Sequence, residues 1–290
     1  MLNVEEFLCQ RKDLMTRYEQ EARAYLRKLG RKVDFVEQIP FLADGVADAN
    51  IWCNADNNFR PLFITKEASI GFDSVIGLPE YYRKWDGITY FEHVDDPFGD
   101  IKIGVNKFAS NNPWQRIIKL ARGLELLCKN KEFHEYSSLN YFGFETGGLR
   151  NTNNVSGDPV YEFQTANENY ISTVNQIAVI NIKKLAGGTN VGSELSVESG
   201  FYLDHISDEN ESLKKLFIEQ IELIDPSVII CCGKEYGKFT SAYLPSEIKE
   251  KYACKIIECP HPNRSSNESF YDMPIRTYAE MNGIGDENMS

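Results

Sequence analysis

Four short runs of consecutive apolar residues set the pattern of this chain: PLFIT at 61–65, IAVINI at 177–182, SVIICC at 227–232 and IIE at 256–258. Each is too short for a typical helix and continuous rather than alternating. That predicts strands covered on both faces, as in a parallel sheet. Helical spacing fills the intervals. Between Val4 and Leu29 the apolar positions are Phe7, Leu8, Leu14, Tyr18, Ala22, Tyr25, Leu26 and Leu29, and Gly30 is a natural stop. Asn112-Pro113-Trp114 opens a second helix, with a capping side chain followed by proline at the first helical position. Its stripe is Trp114, Ile117, Ile118, Ala121, Leu124 and Cys128. Leu213, Phe217, Ile221 and Ile224 line a third helix, which Asp225-Pro226 ends.

Strands that alternate with helices predict an α/β fold. The expected architecture is a three-layer α/β/α domain around a central, mostly parallel sheet of four to five strands. The chain reads as a single domain over residues 1–290: an N-terminal helical extension over 1–58, a core over 59–270 and a polar tail over 277–290. Residues 77–107, rich in Gly, Pro, Tyr and Asp, read as a long irregular segment, and 147–157 as a loop.

The chain has 290 residues, 42% of them hydrophobic and 12% aromatic, ample for a sizeable core. No uncharged apolar run approaches the roughly 20 residues that span a bilayer. The opening MLNVEEFLCQRKD carries acids and no apolar signal core, so a cytoplasmic protein without a membrane partner is expected. The seven cysteines form no CxxC pair and read as free, mostly buried thiols. No metal and no cofactor are expected. The formal net charge is −12, so binding to a polyanion requires a local basic surface.

Chemistry gathers where the runs end. The first stops at Lys66-Glu67-Ala68-Ser69, followed by Ile70-Gly71-Phe72-Asp73. A charged residue at the carboxyl end of a central strand stands where open α/β sheets place ligands. The second run contains Asn181, a carboxamide that must be paired if buried, either by a structural hydrogen bond to a neighbouring turn or by a group in a pocket. Lys183-Lys184 follow and, taken alone, read as a solvated turn before Gly187-Gly188. The last run delivers His261 between two prolines, then Asn263, Arg264, Ser265 and Ser266, whose polar groups suit an anion.

In their order, LFITKEAS, IAVINIKK, DPSVIICCGKEY and IIECPHPNRSS resemble the motifs of the uracil-DNA glycosylase superfamily over about residues 60–266. The resemblance implies a DNA glycosylase that hydrolyses the N-glycosidic bond of a flipped, non-standard pyrimidine and leaves an abasic site. Lys66-Glu67-Ala68-Ser69 is similar to the family's Gly-Glu-Ala-Pro version. Ala68 occupies the position of the Asp found in the most efficient uracil enzymes, and Ser69 replaces a proline. Glu67 is then the group that orients water and stabilises the sugar cation. Asp73 is a reserve carboxylate. His261 would donate to the departing base. His261-Pro262 fits the family's His-Pro-Ser, and Asn263 departs from it. Asn181 matches the asparagine that reads the base, and Phe72 is a candidate to stack on it. Lys183, Lys184, Asn263, Arg264 and Ser265 would contact phosphates. The iron–sulfur cysteines of some subfamilies are not matched.

Strict uracil enzymes set a tyrosine against carbon 5 of the base shortly after the Asp, and here Ile70 and Gly71 follow instead. That implies tolerance for a 5-substituted pyrimidine, such as the hydroxymethylated or glucosylated cytosine of phage DNA, in antiviral defence. The alternatives are uracil repair, a catalytically inactive module that binds modified DNA, and a hydrolase acting on free nucleosides.

Overall fold

The computed structural model describes residues 2–30, 41, 44–55, 59–69, 112–141, 152–153, 159–160, 168–187, 201–262 and 265–284. In chain order the elements begin with α1 (Val4–Lys28), β1 (Gly45–Val46), α2 (Ala49–Asn54), β2 (Pro61–Ser69), α3 (Asn112–Asn130), β3 (Thr152–Asn153), β4 (Pro159–Val160) and α4 (Glu168–Asn175). They continue with β5 (Ala178–Gly187), α5 (Phe201–Asp204), α6 (Glu211–Ile224), β6 (Val228–Cys232), β7 (Lys234–Glu235), β8 (Lys238–Phe239), α7 (Ser246–Lys251), β9 (Ile256–Cys259) and α8 (Asn267–Met281). The chain divides into two compact units, Met1–Tyr90 with Gln176–Cys259, and Phe91–Asn175 with Pro260–Ser290.

The first unit holds a five-stranded sheet in the order β1-β5-β2-β6-β9. Its four longer strands are the four apolar runs, and they pair in parallel. Only β1 runs antiparallel, on the edge beside β5. The mixed α/β class and the mostly parallel sheet thus agree with the sequence pattern.

A capping box opens α1. Asn3 accepts from the Glu6 amide at 2.9 Å, and the Glu6 carboxylate accepts from the Asn3 amide at 3.2 Å. The buried face of α1, with Phe7, Leu14, Tyr18 and Ala22, packs into one core with Ile180, Ile182, Phe217 and Ile221. Residues 1–58 were expected as an extension, yet they supply both a sheet strand and part of this core. Trp52 of α2 fixes the arrangement further by donating from Nε1 to the Ile224 carbonyl at 2.9 Å.

In the second unit α3 and α8 pack together. A Cβ placed on Gly123 would lie 2.1 Å from Oη of Tyr271 and 2.6 Å from Cζ, so only glycine allows this approach. Tyr271 is buried and donates to the His134 carbonyl at 2.7 Å, which fixes its ring. The expected loop at 147–157 includes β3, which pairs antiparallel with β4. The expected polar tail also differs. Helix α8 runs to Met281 with Tyr278 and Ala279 buried, and Ile284 is buried beyond it. The expected irregular segment at 77–107 lies outside the described residues.

Gly123→Ala should destabilise the protein by about 1–3 kcal/mol through overpacking, although alanine ordinarily favours a helix interior by about 1 kcal/mol. Urea denaturation measures this, and pairing the change with Tyr271→Leu should recover part of the loss.

Candidate functional site at the carboxyl edge of the sheet

From β2 the chain goes to β5 on one side, then to β6 on the other. The strand order therefore reverses between β2 and β6. Open α/β sheets bind ligands outside the carboxyl ends of the strands at such a point. Strand β6 pairs with β2 only as far as Ile64↔Cys231, while β2 continues to Ser69 beside β5. Along that extension Thr65 stands opposite Asn181, and Glu67 opposite Lys183. Lys66 bridges the reversal: its ammonium pairs with Glu235 of β7, and both side chains are largely shielded from solvent.

Strands β7 and β8 form a hairpin directly after β6, with Tyr236-Gly237 as its two-residue turn. Both turn residues have positive φ, +46° and +78°, the type I′ geometry that matches strand twist. The Tyr243 hydroxyl donates to the Glu235 carbonyl at 2.9 Å. The Thr240 amide donates to the Gly233 carbonyl at 3.0 Å, and the Gly233 amide to the Cys259 carbonyl at 2.7 Å. The hairpin is therefore tied to β2, β6 and β9 together.

Beside this edge lies a buried polar cluster centred on Asp44, the residue before β1. Its Oδ2 accepts from the Asn181 amide nitrogen at 2.6 Å and from Asn181 Nδ2 at 2.9 Å. Its Oδ1 accepts from the Lys184 ammonium, and Gln220 Nε2 donates to the Asp44 carbonyl at 3.0 Å. Asp44 is 4% exposed and Lys184 0%. Burial pushes the Lys184 ammonium below the usual lysine range, and Asp44 opposes that shift. The Tyr18 ring lies 5.5 Å from the same ammonium, and burial, then Asp44, pushes its phenol up.

The structure revises part of the expected site. Lys183 and Lys184 are buried within β5 rather than at a solvated turn or on a phosphate-facing surface. The strand is longer than its apolar run because Asp44 compensates the Lys184 charge. Asn181, 6% exposed, has its amide engaged from both ends, by Asp44 and by the Thr65 hydroxyl, which donates to Oδ1 at 2.7 Å. Asp44 accepts only, so the amide orientation is fixed. Glu67 and Ala68 lie in β2 at the reversal. His261 belongs to the second unit and is half-buried. Ser265 donates to its carbonyl at 2.8 Å. Arg116 donates to the Pro262 carbonyl in the same unit. Ile70, Phe72, Asp73, Asn263 and Arg264 lie outside the described residues.

Two parts of the edge escaped sequence reasoning. Asp44-Gly45 carried a weak turn signal, and KEYGKF carried a stronger one: a two-residue turn flanked by lysines directly after an apolar strand. Among the described residues no group of His, Cys, Asp and Glu is placed to hold a metal ion, and no helix is long and apolar enough to cross a membrane.

Comparison with family models, with characterised proteins and with solved structures gives no match to this chain.

Asn181→Asp would set a second carboxylate against Asp44. The new carboxyl then has a folded pKa above its unfolded value, so the folded state binds more protons, and stability should rise as pH falls. Urea titrations at neutral pH and at about pH 5 should show the variant strongly destabilised in the first and closer to wild type in the second.

Proposed function

We propose that this chain is a DNA glycosylase that removes a non-standard pyrimidine by hydrolysing its N-glycosidic bond. The observation that carries the reading is the convergence of four sequence motifs on one sheet. The strand portions of LFITKEAS, IAVINIKK, SVIICC and IIEC are β2, β5, β6 and β9, parallel neighbours whose carboxyl ends share one edge. Glu67 stands at the strand reversal on that edge.

In this reading Glu67 stabilises the cationic sugar and orients the attacking water, while His261, by the family resemblance, donates to the leaving base. The C–N bond breaks, its electron pair leaves with the base, and water adds to the sugar carbon while its proton passes to the Glu67 carboxylate and finally to the departed base. Asn181 would read the base with the amide hydrogen and carbonyl lone pair not taken by Asp44 and Thr65. The proposed substrate is a 5-substituted cytosine, because Ile70 and Gly71 stand where strict uracil enzymes carry an aromatic. A three-layer α/β/α arrangement, a DNA partner and a cytoplasmic location belong to the same proposal.

A second reading, a module that binds modified DNA without cutting it, gains support from Ala68 and from the engagement of both ends of the Asn181 amide.

Purified protein incubated with uracil-containing, hydroxymethylated and glucosylated DNA should leave alkali-labile abasic sites in the modified DNAs. Glu67→Gln should slow cleavage by about two to three orders of magnitude. Cleavage of uracil DNA alone would reduce the reading to repair. Binding without cleavage, unchanged in Glu67→Gln and His261→Ala, would establish the binding module.

A further inference from the structure

We propose that the β7–β8 hairpin is a contact element for single-stranded or locally unpaired DNA, in which Tyr236 stacks on an exposed base and Lys234 and Lys238 neutralise the flanking phosphates. This deepens the glycosylase reading and rests on it.

Tyr236 is 68% exposed, the most exposed large hydrophobic residue among those described. Its backbone is left-handed, at φ +46°. Asparagine is the favoured residue at the first position of a type I′ turn, and glycine serves there as well. An aromatic side chain at this position is locally unfavourable, and most of it faces solvent. An unfavourable local choice held in place by a braced frame points to function. The brace is substantial: the Lys66–Glu235 ion pair, the Tyr243 hydroxyl on the Glu235 carbonyl, and the Thr240 amide on the Gly233 carbonyl.

The local charge also runs against that of the chain. Within the hairpin Glu235 is paired with Lys66, while Lys234 and Lys238 are both exposed. Lys234 lies 4.1 Å from the Phe239 ring centroid, which keeps its stem along the hairpin. A chain of net charge −12 needs such a basic spot to meet a phosphate backbone. A stacking aromatic between cations is the sequence-tolerant means of holding single strands, because every base has a π-face. A duplex buries those faces, so the preference is for unpaired DNA. The hairpin stands at the strand reversal, tethered through the residue next to Glu67, so a strand held there passes the proposed reacting edge.

The test is fluorescence anisotropy with the full-length protein and labelled single-stranded and duplex oligonucleotides, over a range of salt, alongside the abasic-site assay. Wild type should bind the single strand more tightly. Tyr236→Asn should weaken it by about tenfold, the size of one base–aromatic stack, while thermal unfolding stays unchanged or shifts upward because asparagine suits the turn. Tyr236→Phe should retain binding. Lys234→Glu with Lys238→Glu should flatten the plot of log affinity against log salt by roughly 1.4, about 0.7 for each lost phosphate contact. Wild-type cleavage of the modified DNA, with both cleavage and single-strand binding left unaltered in Tyr236→Asn and in the double lysine variant, would overturn the hairpin assignment and leave the glycosylase reading standing. A wild-type protein that neither binds nor cleaves any of these DNAs would overturn both.

Discussion

The carboxylate of Asp44 is the interaction on which the first unit depends. Strand β1 is only two residues long, yet β5 has to be finished on that edge. Asp44 extends the pairing with its side chain by accepting the Asn181 backbone amide where a further strand residue would have done so. The same group compensates an ammonium with no access to water, and its carbonyl takes a bond from Gln220 of α6. One residue thus joins the sheet edge, a buried lysine and a covering helix. A buried pair of this kind adds little net stability against an apolar replacement, but removing one partner strands the other charge. Its principal effect is on register: a slip of β5 by one residue would turn Lys184 away from Asp44.

The four parallel strands were legible because each is a continuous apolar run bounded by punctuation, and α1, α3 and α6 because their stripes keep helical spacing. What could not be read has particular causes. Strand β1 and the β7–β8 hairpin are too short to show a period. Asp44 and Asn181 are 137 residues apart, and no local pattern links them. Lys183-Lys184 resembled a strand terminus because a charged doublet normally marks one, and a distant carboxylate, Asp44, makes the Lys184 charge tolerable inside. The last helix was hidden by its composition: Tyr278, Ala279 and Ile284 are buried among polar neighbours that read as a tail.

The candidate site was legible to the same degree. Strand ends marked Glu67 and the run preceding His261, because apolar runs that stop on polar residues are visible locally. The interior use of Asn181 was not visible. A carboxamide in a strand has the same sequence signature whether it faces a ligand or braces a fold. Its bonds to Asp44 and Thr65 make it a brace first. Any recognition it performs starts from a fixed amide, so discrimination among ligands shifts to the shape of the surrounding walls.

The cysteines carry a practical consequence. All seven are free. Cys231 and Cys232 of β6 and Cys259 of the edge strand β9 are buried, and Cys232 stands opposite Cys259 in register. Burial raises the Cys231 and Cys259 thiols well above the range in which a thiolate forms. Cys9 and Cys254 are exposed. An alkylating reagent added to the native protein therefore meets the exposed Cys9 and Cys254 first, the half-buried Cys53 and Cys128 next, and last the three that stay silent until β6 and β9 part. The delay of that last phase is an intrinsic clock for the opening of the sheet, read without any engineered residue.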